Sequence, residues 1–155
     1  MLPRIRSLLI ATAVLAASHV GAIAAVQTPQ PCDVITRTDA AKALGARPRP
    51  GVHAPSNTCA YFGASTGYIR ISIMAGGMSG FTAARKNALP DVVDIDGIGT
   101  DAYYIKDEGE VINAVSHGIW YAVTLHFQSD DMHLSNPPKP LPQEIALAKL
   151  AASRL

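Results

Sequence analysis

The 155-residue chain has little charge, few aromatic residues and almost no cysteine, and each shortage excludes something. Charged side chains make up 16 % of it, and 13 Lys+Arg against 12 Asp+Glu leave a net charge of +1. No global basic field draws such a chain to nucleic acid or to anionic lipid. The motifs of common chemistries are missing as well. No Gly-x-Ser-x-Gly sets a nucleophile on a strained turn; Gly77-Met78-Ser79-Gly80 matches it in composition alone and reads as a helix start with Ser79 as cap. No His-x-x-x-His or His-Glu pair puts two ligands on one helix face, so His117, His126 and His133 form no zinc or copper set by spacing, and His53 falls in a proline-rich loop. Gly97-Ile98-Gly99 lacks the helix-opening third glycine of a dinucleotide loop and reads as a turn.

Acidic residues do gather between positions 91 and 110, where Asp91, Asp94, Asp96, Asp101, Asp107, Glu108 and Glu110 stand against Lys106. Asp94-Ile95-Asp96-Gly97 resembles the start of a calcium loop, but the further ligands are not at the required spacing, and solvated turns account for the same residues. No carboxylate pair is singled out as an acid and a base. The chain therefore reads as non-catalytic, with no metal and no cofactor.

Its N-terminus is more informative. Arg4 and Arg6 precede an apolar run from Leu8 to Ala17 that continues weakly to Val26, the charged and apolar regions of a secretory signal peptide. Ala22-Ile23-Ala24 offers small residues for a signal peptidase, so cleavage is expected after Ala24, with Ala25 the alternative. Ser18, His19 and Gly21 interrupt the run and leave it short of the roughly 20 apolar residues of a membrane anchor. No cysteine directly follows the small-residue site, which argues against lipid attachment. Residues 1–24 are thus read as a leader and 25–155 as one secreted domain, in the periplasm or the medium. Without Arg4 and Arg6 the balance is 11 cations to 12 anions. In an oxidising compartment the two cysteines, Cys32 and Cys59, are expected to form a structural disulfide; a reactive pair would be more closely spaced, as in Cys-x-x-Cys.

The domain has no internal repeat and is framed by proline-rich stretches at 28–31 and 136–142, the second a stiff connector before the C-terminal segment. A first helix is expected over Thr38–Leu44, capped by Thr36 or Thr38 and stopped by Gly45. Residues 68–75 alternate, with Ile69, Ile71, Ile73 and Ala75 on one face and Tyr68, Arg70, Ser72 and Met74 on the other, as a half-buried strand does. A second helix follows over about 79–88, burying Phe81, Ala84 and Leu89. Strands are expected at 102–106, 110–116 and 119–127, joined by a hairpin turn at Asp107-Glu108-Gly109 and by His117-Gly118. A last helix over 142–154 buries Ile145, Leu147, Ala148, Leu150 and Ala151. The expected fold is α+β: an antiparallel sheet of about four to five strands with two or three helices on one face and one disulfide.

Pro31-Cys32-Asp33-Val34-Ile35-Thr36, Leu44-Gly45, Cys59-Ala60-Tyr61 and the segment Gly97 to Tyr103 together resemble a family of secreted domains common in actinobacteria, many of them lipoproteins. This chain departs from them in lacking a lipobox at Cys32 and in carrying Thr100 between Gly99 and Asp101. The resemblance implies secretion, the bridge and the fold; the family is a domain of unknown function and lends no catalytic residue.

One surface stands out. Trp120 and His126 share the more polar face of their strand and are expected to join Tyr68, Arg70 and Met74 in a ligand-binding patch, since exposed aromatic and methionine side chains on a sheet make contact surfaces. The expectation set against it, and the one favoured, is that the C-terminal helix, freed by its proline connector, covers that face. The reading is a binding module of the cell envelope, taking an unknown protein or a small apolar ligand. The alternative function is a secreted inhibitor of an extracytoplasmic enzyme, presenting the loop Arg47 to Ala54; a small hydrolase ranks below both.

Overall fold

The structure, a computed structural model, describes residues 28–53, 57–63, 67–106, 111–127 and 139–155. The leader, the turn at 107–109, His133 and the connector up to Pro138 lie outside the described residues. Pro31 at the start of a helix gives up no needed N–H and opens a single turn, α1 (Pro31–Val34). One turn carries no periodicity, and α1 goes beyond the expected elements. Thr36 then caps α2 (Arg37–Leu44) in a capping box: its hydroxyl accepts from the Asp39 amide, and the Asp39 carboxylate accepts from the Thr36 amide at 2.9 Å. Gly45 ends the helix.

Among the described residues the strands are β1 (Val52–His53), β2 (Thr58–Phe62), β3 (Tyr68–Ile73), β4 (Val92–Asp94), β5 (Asp101–Ile105), β6 (Val111–Ser116) and β7 (Ile119–His126). They form one antiparallel sheet in the order β1-β2-β3-β7-β6-β5-β4. The antiparallel α+β class is as expected, but seven strands replace four to five. β1 and β4 have two and three residues, too few for alternation to register. In β2, Thr58 through Tyr61 are all buried, which erases the alternation there. His117 and Gly118 have φ of 49° and 79°, the two positive values that a two-residue type I′ hairpin demands between β6 and β7.

β7 is the middle strand. Its Tyr121, Val123 and Leu125 join Ile69, Ile71, Ile112 and Ala114 in the main core, which α4 (Pro142–Arg154) closes with Leu147, Ala148 and Ala151. The Tyr121 hydroxyl donates to the Ala148 carbonyl and the Ser116 hydroxyl to the Ala152 carbonyl, both at 2.9 Å, so α4 is held to β7 and β6 by polar as well as apolar contacts. Ile145 and Leu150 are only half-buried, whereas Ala152 and Glu144 are buried. α1 and α2 sit beside α4 on this face, with the Tyr61 hydroxyl of β2 donating to the Ile35 carbonyl at 2.8 Å.

Two expectations fail together here. The helices do not all gather on one face, and the C-terminal helix does not cover the polar one. α3 (Gly77–Asn87) packs Phe81 against Tyr103, Val115 and Trp120, which point away from their neighbours Ala102, Ala114 and Tyr121 in the main core. Strand alternation therefore puts α3 opposite α4. α4 takes the face whose residues are uniformly apolar, and α3 takes the end of the other face where Tyr103, Val115 and Trp120 cluster. Ser79 does not cap α3: Gly76 is the N-cap, and the Ser79 hydroxyl donates back to its carbonyl at 2.8 Å. Leu89 is 62 % exposed rather than buried, because α3 ends at Asn87 and the turn after it swings the chain out to the edge strand β4.

Candidate functional site

Trp120, His126, Tyr68, Arg70 and Met74 do share the second face of the sheet, but the register divides them. Phe62 pairs with Tyr68 and Tyr68 with His126, so one row crosses β2, β3 and β7. The Tyr68 and His126 rings lie 5.2 Å apart at 24°, and Phe62 meets Tyr68 at 6.1 Å. The next row holds Val52, Ala60, Arg70 and Thr124, with Arg70 and Val52 exposed. Trp120 stands six residues from His126 along β7, about 20 Å at the rise of a strand.

At that far end Trp120 is a packing residue. Phe81 meets its ring edge-on at 6.5 Å, and its indole N–H donates to the Asn113 side chain at 3.4 Å. A Cβ built on Gly80 would lie 3.1 Å from the indole and 2.7 Å from the Ala75 carbonyl oxygen, so a side chain there has no room. Met74 pairs with Trp120 through its amide, which donates to the Trp120 carbonyl at 2.8 Å. Met74 also lines a separate cleft of about 430 Å³ with Pro29, Gln30, Pro31, Asn57 and Ile73. The five expected residues thus fall into three places, and Tyr68, His126 and Arg70 remain together.

Sequence reasoning missed Phe62. The signal was present: glycines at 63 and 67 bracket the passage from β2 to β3, the Gly63 amide donates to the Gly67 carbonyl at 2.8 Å, and the flanking aromatic residues Phe62 and Tyr68 stand opposite each other. Nearly parallel rings side by side present their edges outward rather than one flat face. The row therefore offers an apolar strip rimmed by the Tyr68 hydroxyl, the imidazole nitrogens and the Arg70 guanidinium, a mixture suited to protein side chains.

The Cys32–Cys59 bridge forms, with Cα atoms 5.1 Å apart, and ties α1 to β2. Cys59 is fully buried and Cys32 partly so; His53 is exposed, with Nδ1 3.8 Å from the Cys32 sulfur. An attacking thiolate could reach only Cys32 and would have to expel the Cys59 thiolate into the apolar core, a costly leaving group. The geometry is that of a structural bridge.

The acidic segment is in part internally paired. Arg85 of α3 donates to Asp94 and, at 2.8 Å, to Asp101, which locks α3 onto β4 and β5. Among the described residues no three His, Cys, Asp or Glu side chains converge as metal ligands. The shifted groups are structural as well. Burial pushes the Tyr121 hydroxyl far up, and burial with the nearby Asp39 and Asp33 charges raises Tyr61. Among the described residues no helix is long and apolar enough to cross a membrane. No family model matches the chain, and neither does any curated protein or solved structure.

Proposed function

We propose that this chain is a non-catalytic binding module that works outside the cytoplasm, exported by residues 1–24, and that it meets a protein partner through the Phe62–Tyr68–His126 row and Arg70. The row carries the reading: Phe62 is 44 % exposed, and among the described residues no helix lies over this half of the face. Its mixture of exposed aromatic edges and one guanidinium is the composition that dominates protein contact surfaces, where Tyr and Arg supply most of the energy. The disulfide supports an oxidising compartment.

The test is site-specific photocrosslinking in the native cell envelope, with the crosslinker at Tyr68 in one strain and at exposed Ala146 of α4 in another. A discrete adduct from position 68 alone, lost when Phe62 and His126 are changed to Ala, supports the reading. Adducts of equal yield from both positions, or none from either, overturn it.

A second reading has its own observation. Residues 47–53 are held firmly, by Arg37 donating to the Pro48 carbonyl at 2.8 Å and by the Arg49 amide donating to the Phe62 carbonyl at 3.0 Å, while Arg47, Arg49 and Pro50 stay exposed. An enzyme inhibitor presents such a pre-organised loop. Loss of enzyme inhibition on Arg49→Ala, with Tyr68→Ala silent, would select it over the row.

A further inference from the structure

Three side chains with metal-ligating atoms come together at the bridge, each from a different element. Cys32 lies in α1, Cys59 in β2 and His53 in β1. The register sets His53 directly across from Cys59, and its Nδ1 stands 3.8 Å from the Cys32 sulfur. Gly51, just before β1, permits this approach. A Cβ built there would lie 2.9 Å from the Cys59 sulfur and 2.8 Å from the Tyr61 ring, so a bare glycine lets the chain pass this close. The Tyr61 hydroxyl steadies the backbone on the other side, since it donates to the Cys32 carbonyl at 3.3 Å as well as to that of Ile35. Sequence spacing could not show this set, because residues 32, 53 and 59 meet only through the bridge and the β1–β2 register.

While the bridge stands, the two sulfurs are bonded to each other and no metal-ligand set exists among the described residues. In the dithiol form the same place holds two thiols and one imidazole. Cα atoms 5.1 Å apart let both thiolates reach one ion. At bond lengths of about 2.0 Å to nitrogen and about 2.3 Å to sulfur, two ligand atoms on one cation stand roughly 3.5 to 3.7 Å apart. The His53 nitrogen is already close to that spacing from the Cys32 sulfur, at 3.8 Å. Cys59 is fully buried, Cys32 partly so and His53 exposed, so an ion enters from the His53 side and comes to rest against the apolar core.

We propose that the dithiol form of this chain binds one Cu(I) ion through the Cys32 and Cys59 thiolates and His53 Nδ1. Two thiolates with an imidazole are a donor set that selects soft cations, and three ligands satisfy Cu(I), whereas a closed zinc site takes four. Binding releases the two S–H protons to solvent and moves no electron. Bridge and ion are alternatives at one place: either ties α1 to β2, and each excludes the other. An exported chain carries free thiols until it is oxidised, and in that interval the ion competes with the bridge.

The experiment is competition for Cu(I) against bicinchoninate, followed by the colour of the chelate. The full chain is reduced in urea by a phosphine, refolded without oxygen and titrated into the Cu(I) chelate. Reduced wild type is expected to withdraw one ion per chain and the bridged chain none, while Cys32→Ser and Cys59→Ser each abolish the uptake. His53→Ala, at an exposed position, should keep the native circular dichroism of the bridged chain but hold Cu(I) about tenfold or more weakly in the dithiol form. A reduced wild-type chain that leaves the chelate unchanged overturns the proposal. So does a His53→Ala chain that competes as well as wild type, or uptake undiminished in concentrated urea, since either shows two thiols acting without the folded site.

Discussion

Arg154, next to the last residue of the chain, donates to the Asp39 carboxylate at 2.6 Å and so joins the final turn of α4 to the first turn of α2, 115 positions earlier. The same guanidinium nitrogen donates to the Val34 carbonyl at 2.8 Å, so it also satisfies the end of α1. Asp39 already serves the capping box of α2, and its side chain is only 10 % exposed. One carboxylate thus holds a helix start and the chain's far end at once.

That double use makes stability depend on acid in a definite direction. Burial pushes the Asp39 carboxyl up, but hydrogen bonds from Arg154 and from the Thr36 hydroxyl and amide, with the guanidinium charge, outweigh it and hold the group down at about 2, below its ordinary 3.8. A depressed carboxyl adds stability that is complete above the unfolded value and is lost as pH falls from near 3.8 through about 2. The difference corresponds to roughly 2 kcal/mol. Arg154→Met should therefore lower unfolding free energy in urea by about that much at pH 7 and by much less near pH 2. A deficit of equal size at both pH values would show that Asp39 is not the partner through which Arg154 acts.

The bridge makes a second expectation. Closing a loop with a sequence separation of 27 restricts the unfolded chain by roughly 3 to 4 kcal/mol in the loop-entropy relation. Cys32→Ser with Cys59→Ser should lower the unfolding free energy in urea by a matching amount and steepen the slope, because the unfolded chain without the bridge exposes more surface. Because Cys59 is buried, the native bridge should also resist glutathione until the protein unfolds, and mass spectrometry of alkylated thiols over a urea series reads this directly. Thiols appearing well before the unfolding transition would contradict the structural reading.

Local chemistry made part of this fold legible and left the rest hidden. Thr36, Asp39 and Gly45 mark α2 because a cap and a stop are short-range features. β3 shows clean alternation because one of its faces is apolar and the other polar, and β7 sets Tyr121, Val123 and Leu125 on the core face although Thr124 between them is buried too. β1 and β4 were not legible, because two or three residues hold no period and their pairing comes from long-range contacts, and β2 buries four residues in succession and so shows no alternation. The same limit governs the surface. Tyr68 and His126 could be assigned to a common face, but that Trp120 lies beneath α3 and Phe62 beside Tyr68 depends on where α3 docks and on the β2–β3 register. Alternation assigns a side chain to a face without giving its position along that face.

Gly80 sets two energies against each other. Alanine is the better helix former by about 1 kcal/mol, so an exposed helical glycine would gain from the change. Here the added Cβ would meet the Ala75 carbonyl at 2.7 Å and the Trp120 ring at 3.1 Å. Backbone cannot yield cheaply, and overpacking of this kind costs about 1 to 3 kcal/mol. Gly80→Ala should therefore lower the melting temperature and shift the emission of the single tryptophan. A raised melting temperature would mean that α3 does not press on Trp120.

The two ends of the polar face should respond oppositely to alanine. Trp120→Ala removes the ring on which Phe81 packs edge-on and is expected to cost about 2 to 3 kcal/mol, less than for a fully buried tryptophan because the site is half-exposed. Tyr68→Ala removes a cross-strand stack at the exposed end, where such pairs contribute under about 1 kcal/mol. Denaturation should then rank Trp120→Ala well below wild type and Tyr68→Ala near it, while partner crosslinking follows the reverse order. A Tyr68→Ala chain as unstable as Trp120→Ala would make the row a packing feature, because a contact surface can lose its central ring without unfolding the domain that presents it.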